Sequence, residues 1–267
     1  MLTVRVGRVD DASLAAELVR EAGTLARRML AEGLDPQYKT SISDVVSAAD
    51  HAAEELLAAR LAESRPDDGL LGEEGARRSG QGRTWYVDPV DGTYNFLSHI
   101  PYWCSAVGLA DADGPLLGAV YAPVLDELWV GGRELPTTLN GVATDELADL
   151  PLAEISIVTY FHPRHVNDES RMRSWLSTTA RAATLRMLGS ASVDLAGVAS
   201  GRLGLFLQAN LNPWDWVPGA ALVIGAGGVA REVAVRGVRW QIAGNRQAVA
   251  EADAALHGRA RNVREHR

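Results

Sequence analysis

The chain has 267 residues, 47% hydrophobic and 22% charged, with a net charge of −8 and one cysteine, enough for one large α/β unit or two packed halves. The acidity excludes a general nucleic-acid binder, which needs a basic stripe, and no run nears the roughly 20 apolar residues of a membrane helix. Cys104 alone supports neither a disulfide framework nor a thiolate metal cluster, and Met1 to Arg5 carries no apolar secretory core, so a cytoplasmic location is expected.

In chain order, Asp10 to Leu30 predicts an amphipathic helix, with Leu14, Leu18, Leu25 and Met29 near helical spacing. Lys39 to Asp44 is polar and turn-like. A second helix follows to about Ala62, with Val45, Ala49, Ala53, Leu56 and Leu57 as its stripe. Leu70 to Gly72, Thr84 to Val87, Trp103 to Ala110, Leu116 to Tyr121 and Glu127 to Val130 read as short strands between Gly, Pro and Asp punctuation. They predict a mainly antiparallel sheet. Gly131 to Leu150 reads as irregular and marks an expected boundary, with halves at 1–145 and 146–267. Beyond it the pattern alternates: strand Ile155 to Tyr160, helix Glu169 to Arg181, strand Thr184 to Leu188, helix Ser190 to Ala199, strand Leu203 to Leu207 and helix Pro213 to Ala226. Alternation of this kind predicts layers of helix and sheet, an α+β or α/β architecture. Arg259 to Arg267 is charged and expected to fray.

Acidic residues fall where side chains converge: Glu73-Glu74 after one predicted strand, Asp88 and Asp91 after the next, Asp215 before a helix, and Asp50 early in the second helix. Converging carboxylates repel one another, and a hard divalent cation such as magnesium answers that repulsion. Gly92 and Thr93 add a glycine that admits close approach of an anion and a hydroxyl able to orient water.

Taken together, Gly72-Glu73-Glu74, the run Trp85 to Phe96 containing Asp88-Pro89-Val90-Asp91-Gly92-Thr93, and Trp214-Asp215 resemble the inositol monophosphatase family of the fructose-1,6-bisphosphatase superfamily. Lys39, Asp44-Val45-Val46, Asp50, Arg186 to Ala191 and Ala226 to Val229 fit the same order over about residues 10 to 250. The resemblance implies a layered αβαβα sandwich and a magnesium-dependent phosphomonoesterase with two or three ions, manganese as a substitute and lithium as an inhibitor. It implies metal ligands at Glu73, Asp88, the Val90 carbonyl, Asp91 and Asp215. Glu73 and Thr93, the latter backed by Asp50, would activate the attacking water, and no phosphoenzyme is implied. Phosphate and substrate would meet Asp91, Gly92, Thr93, Gly189, Ser190, Ala191 and Gln208, with Asp215 and the specificity residues supplied by the second half. A small phosphorylated substrate and a homodimer are expected, with no nucleic-acid or membrane partner.

The chain departs from the pattern at Gln208, where members acting on inositol phosphate place a glutamate. Inositol phosphate, histidinol phosphate, fructose bisphosphate and a pathway-specific cyclitol or sugar phosphate therefore all stay open. A non-catalytic binding module is the alternative of another class, and the intact ligand set argues against it. Gly131-Gly132-Arg133 replaces a longer hairpin, and Pro218 is read as tolerable in a first helical turn. His99 reads as a surface or packing residue and Cys104 as a core residue. His162 and His165 read as part of a solvated loop, having no third metal ligand nearby.

Overall fold

Leu14, Ala15, Leu18, Val19, Ala22 and Ala26 line the buried side of helix α1 (Asp11–Glu32). Helix α2 (Ile42–Ser64) packs beside it through Ala53, Leu57 and Leu61. The computed structural model describes residues 10–32 and 42–258, with the side chains of α2 from Ala48 onward. The expectations for Lys39, for the side chains of Asp44 to Val46, and for Arg259 to Arg267 lie outside the described residues. The α1 stripe differs from the expected one in its second half, where Leu25 and Met29 are only half-buried. Small residues take over there because Tyr121 sits so close that a Cβ on Gly23 would meet its ring at 3.0 Å.

The two helices cover one face of an eight-stranded sheet. Its strands are β1 (Gly69–Gly72), β2 (Arg77–Arg78), β3 (Thr84–Asp91), β4 (Cys104–Asp111), β5 (Gly114–Ala122), β6 (Glu127–Gly132), β7 (Leu135–Leu139) and β8 (Val142–Ala143), in the order β2-β1-β3-β4-β5-β6-β7-β8. All neighbours are antiparallel except β1 and β3, which run parallel. The stretch read as irregular holds β7 and β8. Pro136 blurs the alternation of β7, which is secured by its ladder to β6 and by the Thr137 hydroxyl donating to the Leu222 carbonyl at 2.6 Å.

A second sheet has the order β10-β9-β11-β13-β12, built from β9 (Ser156–Thr159), β10 (Thr184–Arg186), β11 (Leu205–Ala209), β12 (Val229–Val235) and β13 (Val238–Gly244). The β12–β13 hairpin and the helix after it, absent from the sequence reading, close this half. Arg236 and Gly237, at φ 53° and 77°, form the mirror-image turn that suits the twist of paired strands.

Between the sheets lie α5 (Ala191–Ala199) and α6 (Pro213–Gly225), burying Leu195, Val198, Trp216 and Leu222 against Val120 and Trp129 on one side and Phe206 and Ala243 on the other. The outer face of the second sheet is covered by α7 (Arg246–Leu256), through Val249 and Leu256, and by Trp175 of α4 (Glu169–Thr179). The expected layered αβαβα sandwich is thus observed. Pro218 stands in the second turn of α6, not the first as read from the sequence, and removes an interior helical donor there. Its backbone presses on the cross-strand pair Gly108 and Gly118, where a Cβ on Gly118 would stand 1.9 Å from the Pro218 carbonyl oxygen.

Candidate active site

The site starts at the parallel pair β1–β3. Gly72 registers with Val87, so the next residues on the two strands, Glu73 and Asp88, come side by side. The turn carrying Glu73 is held from α2 by the buried Glu54, whose carboxylate accepts the amides of Glu74 at 2.8 Å and Ala76 at 2.6 Å. Asp88 and Asp91 lie inside β3, which runs on past the end expected from sequence. Asp88 faces Ala106 and Asp91 faces Cys104 on β4, so β3 carries one extra residue between them. A bulge shifts the side-chain alternation by one, which puts residues three apart on one side of the strand. Pro89, with no amide to give the ladder, sits inside that bulge.

The second sheet and the middle helices supply the other wall. Asp91 accepts the amides of Ala191, at 3.2 Å, and Ser192, so it caps α5 across the gap between the halves. Beyond β11 the left-handed Asn210 turns the chain toward α6, and Asp215 in the first turn accepts the Asn212 amide at 3.2 Å. Ligand atoms of Asp88, Asp91 and Asp215 lie within 4.8 Å of one another.

Every carboxyl of this group is harder to ionise than a free one. Burial, then the charges of Glu74, Glu73 and Glu54, pushes Asp50 up to about 8. Asp215 is pushed up to about 7 by burial and by Asp91 and Glu73. Glu73 is exposed as a residue, yet its carboxyl is desolvated where it faces the cluster and is also pushed up to about 7. Burial raises Asp88 well above the usual carboxylate range and raises Asp91 too, against the pull of the Ser192 amide. Both oxygens of Asp50 and Oδ1 of Asp88 are buried with no hydrogen-bond partner among the described residues. Unpaired, mutually repelling oxygen ligands in a buried cluster fit a divalent cation of the hard class.

The remaining sequence-derived site residues group as follows. Gly189, Ser190, Ala191 and Gln208 line a cleft of about 320 Å³ together with Asp91 and Asp215. Gly92, at φ 96°, precedes the short helix α3 (Thr93–Leu97). The Thr93 hydroxyl donates to the Val90 carbonyl at 3.1 Å, and no hydrogen bond joins it to Asp50. His99 is exposed, and Cys104 is a buried core residue.

Four further residues position the site without having been singled out from sequence. Glu54 follows Asp50 by one helical turn, a spacing that places both on one face of α2. Asn95 Nδ2 donates at 2.7 Å to the carbonyls of both Tyr102 and Leu188, joining the α3 loop to the Gly189 turn. Tyr102 donates to Asp194 Oδ1 of α5 at 2.7 Å. Tyr102 and Asp194 carry no sequence signal of their own, since they lie 92 residues apart, and Asn95, though inside the Trp85 to Phe96 run, shows its reach to Leu188 only in the fold.

An αβαβα sandwich with an oxygen-ligand cluster where β3, α5 and α6 meet defines a metal-dependent phosphatase. The inositol monophosphatase family model matches residues 10–267. Inositol monophosphatase 2 of Solanum lycopersicum is 33% identical over 230 residues, 81% of this chain and 84% of that protein. The fructose-1,6-bisphosphatase/inositol-1-monophosphatase of Aquifex aeolicus is 31% identical over 238 residues, 86% and 90% of the two chains. Among solved structures, the extragenic suppressor protein suhB of Bartonella henselae matches with a TM-score of 0.77 at 28% identity, covering 91% of this chain and 98% of that one. The chain belongs to the inositol monophosphatase family. It is a phosphoric monoester hydrolase acting on a small phosphorylated substrate, and no helix among the described residues is long and apolar enough to cross a membrane.

Proposed function

We propose that the chain hydrolyses a small polyol or sugar phosphate with magnesium, two or three ions per site, by direct in-line attack of water. The observation that carries this reading is the convergence of Asp88, Asp91 and Asp215, with both oxygens of Asp50 and Oδ1 of Asp88 buried and without a hydrogen-bond partner among the described residues. In the proposal, Glu73, Asp88, the Val90 carbonyl, Asp91 and Asp215 hold the ions. When bound, magnesium supplies charge that polarises the phosphoryl oxygens, lowers the pKa of water and stabilises the leaving oxygen.

The chain's own residues do the rest. Glu73 takes the proton of the attacking water, the role that the family resemblance implies for it. Thr93 orients that water. Its hydroxyl donates to the Val90 carbonyl at 3.1 Å, and the buried Asp50, whose oxygens have no hydrogen-bond partner among the described residues, is the acceptor that would back it. The amides of Gly92 and Thr93 receive the phosphate, while Gly189, Ser190, Ala191 and Gln208 contact the alcohol half in the cleft they line. Gln208 both donates and accepts hydrogen bonds, which suits neutral hydroxyls. The family resemblance further supports a cytosolic homodimer.

The test is phosphate release from a panel of polyol and sugar phosphates with magnesium, with manganese and with EDTA. Asp91→Asn keeps one acceptor for the α5 amides but loses the ligand charge. It should lower turnover by more than about 100-fold, the scale of several kcal/mol of lost charge stabilisation. Activity surviving both EDTA and Asp91→Asn would sink the metal mechanism, and inhibition by lithium would support it.

A further inference from the structure

Beside the catalytic cleft lies a second cavity of about 300 Å³ that the reaction above does not use. Its wall is formed by the segment after β9 and by β11 and β13, with Arg164, His165, Arg171, Asn210 and Trp240 prominent in the lining. Tyr160, Gln208, Leu211 and Asp215 border both this cavity and the cleft, so the two spaces are immediate neighbours.

Three features of the lining point to one kind of ligand. First, its charged side chains are the cations Arg164 and Arg171 and the single anion Asp215, which already belongs to the metal cluster. In a chain of net charge −8, two guanidinium groups facing one cavity are a local reversal of sign. Second, two buried N–H donors of lining residues, Arg171 Nε and Trp240 Nε1, have no hydrogen-bond partner among the described residues. Arg171 is ion-paired with Asp168, but that carboxylate stays 3.7 Å from Nε, beyond hydrogen-bond reach, and Trp240 is 1% exposed. Buried donors without acceptors are costly and call for an acceptor from outside the chain. Third, Arg164 is braced in place, with Nε donating to His165 Nε2 at 3.1 Å and its amide donating to His162 Nδ1 at 3.1 Å. No acceptor among the described residues engages its terminal nitrogens. The segment read from sequence as a solvated histidine loop therefore presents half-buried His165 and Arg171 to a cavity.

We propose that Arg164, Arg171 and Trp240 form a second oxyanion subsite, so that the substrate carries, apart from the phosphate that is cleaved, a second anionic group, phosphate or carboxylate. Guanidinium groups suit both, since their forked donors match paired oxygens. A substrate with an ammonium group in this position would meet two cations instead. The inference rests on the phosphatase reading and deepens it, by assigning substrate choice to this cavity as well as to Gln208.

Two measurements test it. In magnesium, kcat/KM is compared for a sugar monophosphate, the matching bisphosphate and a phosphorylated sugar acid, in the native chain and in Arg164→Ala and Arg171→Met. Arg164 is exposed, so its truncation spares the fold, and Met keeps much of the apolar stem of the half-buried Arg171. The preference for a two-anion substrate over the monophosphate should fall by about tenfold or more in each variant, as expected for losing a charge-assisted hydrogen bond. In EDTA, where the acidic cluster repels anions, inorganic phosphate should raise the melting temperature above a chloride control of equal ionic strength. That protection should persist in Arg28→Ala, a surface control on α1, and vanish in Arg164→Ala and Arg171→Met. Turnover with no two-anion preference, or a preference unchanged by both substitutions, overturns the subsite and leaves the phosphatase reading standing. No phosphate release from any ester overturns that reading instead, and phosphate protection in EDTA then decides the subsite alone.

Discussion

Tyr102 and Asp194 show how a residue outside the metal cluster holds it in place. The Tyr102 hydroxyl donates to Asp194 Oδ1 at 2.7 Å, and burial raises the pKa of both groups. Asp194 lies on α5, the helix whose first amides bind Asp91, so this bond helps fix the end of α5 that Asp91 caps. Tyr102→Phe removes the donor and leaves a buried carboxylate underpaired. It should cost about 1–3 kcal/mol in urea unfolding. The acidic cluster has its own signature in pH. Asp50 at about 8 and Glu73 and Asp215 at about 7 all lie above the usual value near 4 for an unfolded carboxylate. Between those values the folded, metal-free chain binds more protons than the unfolded one, so its stability falls as pH rises. The melting temperature in EDTA should therefore drop from pH 5 to pH 8. Magnesium, which competes with those protons, should restore more stability at pH 8 than at pH 5. A flat profile in EDTA would contradict the crowding of these carboxyls.

Among the elements, the close contact of α6 with β4 and β5 bears on the aim of the site. Gly108 and Gly118 pair across these strands and leave a gap into which the backbone at Pro218 settles. Because Asp215 is three residues before Pro218, the depth of that contact sets how far the carboxylate reaches toward Asp88 and Asp91. Gly118→Ala puts a methyl group against a backbone carbonyl that cannot swing aside. It should destabilise the fold by roughly 1–3 kcal/mol or more and lower magnesium affinity as α6 backs away. Calorimetric titration of magnesium checks the second effect. Gly92 is constrained differently: its φ of 96° lies in the region that favours glycine, where the chain leaves β3 for α3.

At the scale of the whole molecule, neither sheet has an independent core on its inner face. Leu195, Val198, Trp216 and Leu222 of the middle helices pack at once on Val120 and Trp129 of the first sheet and on Phe206 and Ala243 of the second. The two halves should thus unfold together. Single-tryptophan variants keeping Trp85, under α1 and α2, or Trp240, under α7, should report the same urea midpoint. Separated midpoints would show that the halves are independent units. The cleft draws on both parts of the chain, through Asp91 and Asn95 from one and Asp215 and Gln208 from the other, whereas the neighbouring cavity is lined by residues 160–240 alone.

Legible in the sequence by itself were the family and most of the regular elements. Periodicity marks α1 and α2, and the alternation of apolar runs with turn residues marks α4, α5 and α6. Local rules failed where tertiary contact overrides pattern. Strand β7, with its Pro136, is held by β6 and by Leu222, and the small residues of α1 are chosen by Tyr121. Convergence was likewise beyond the sequence: the bulge at Pro89 and the parallel pairing of β1 with β3 bring Glu73, Asp88 and Asp91 together, and Asp215 arrives from far along the chain. The same holds for Arg171 and Trp240, whose unpaired donors become meaningful only when burial removes water from them. A side chain's identity is local, but its desolvation and its neighbours belong to the fold.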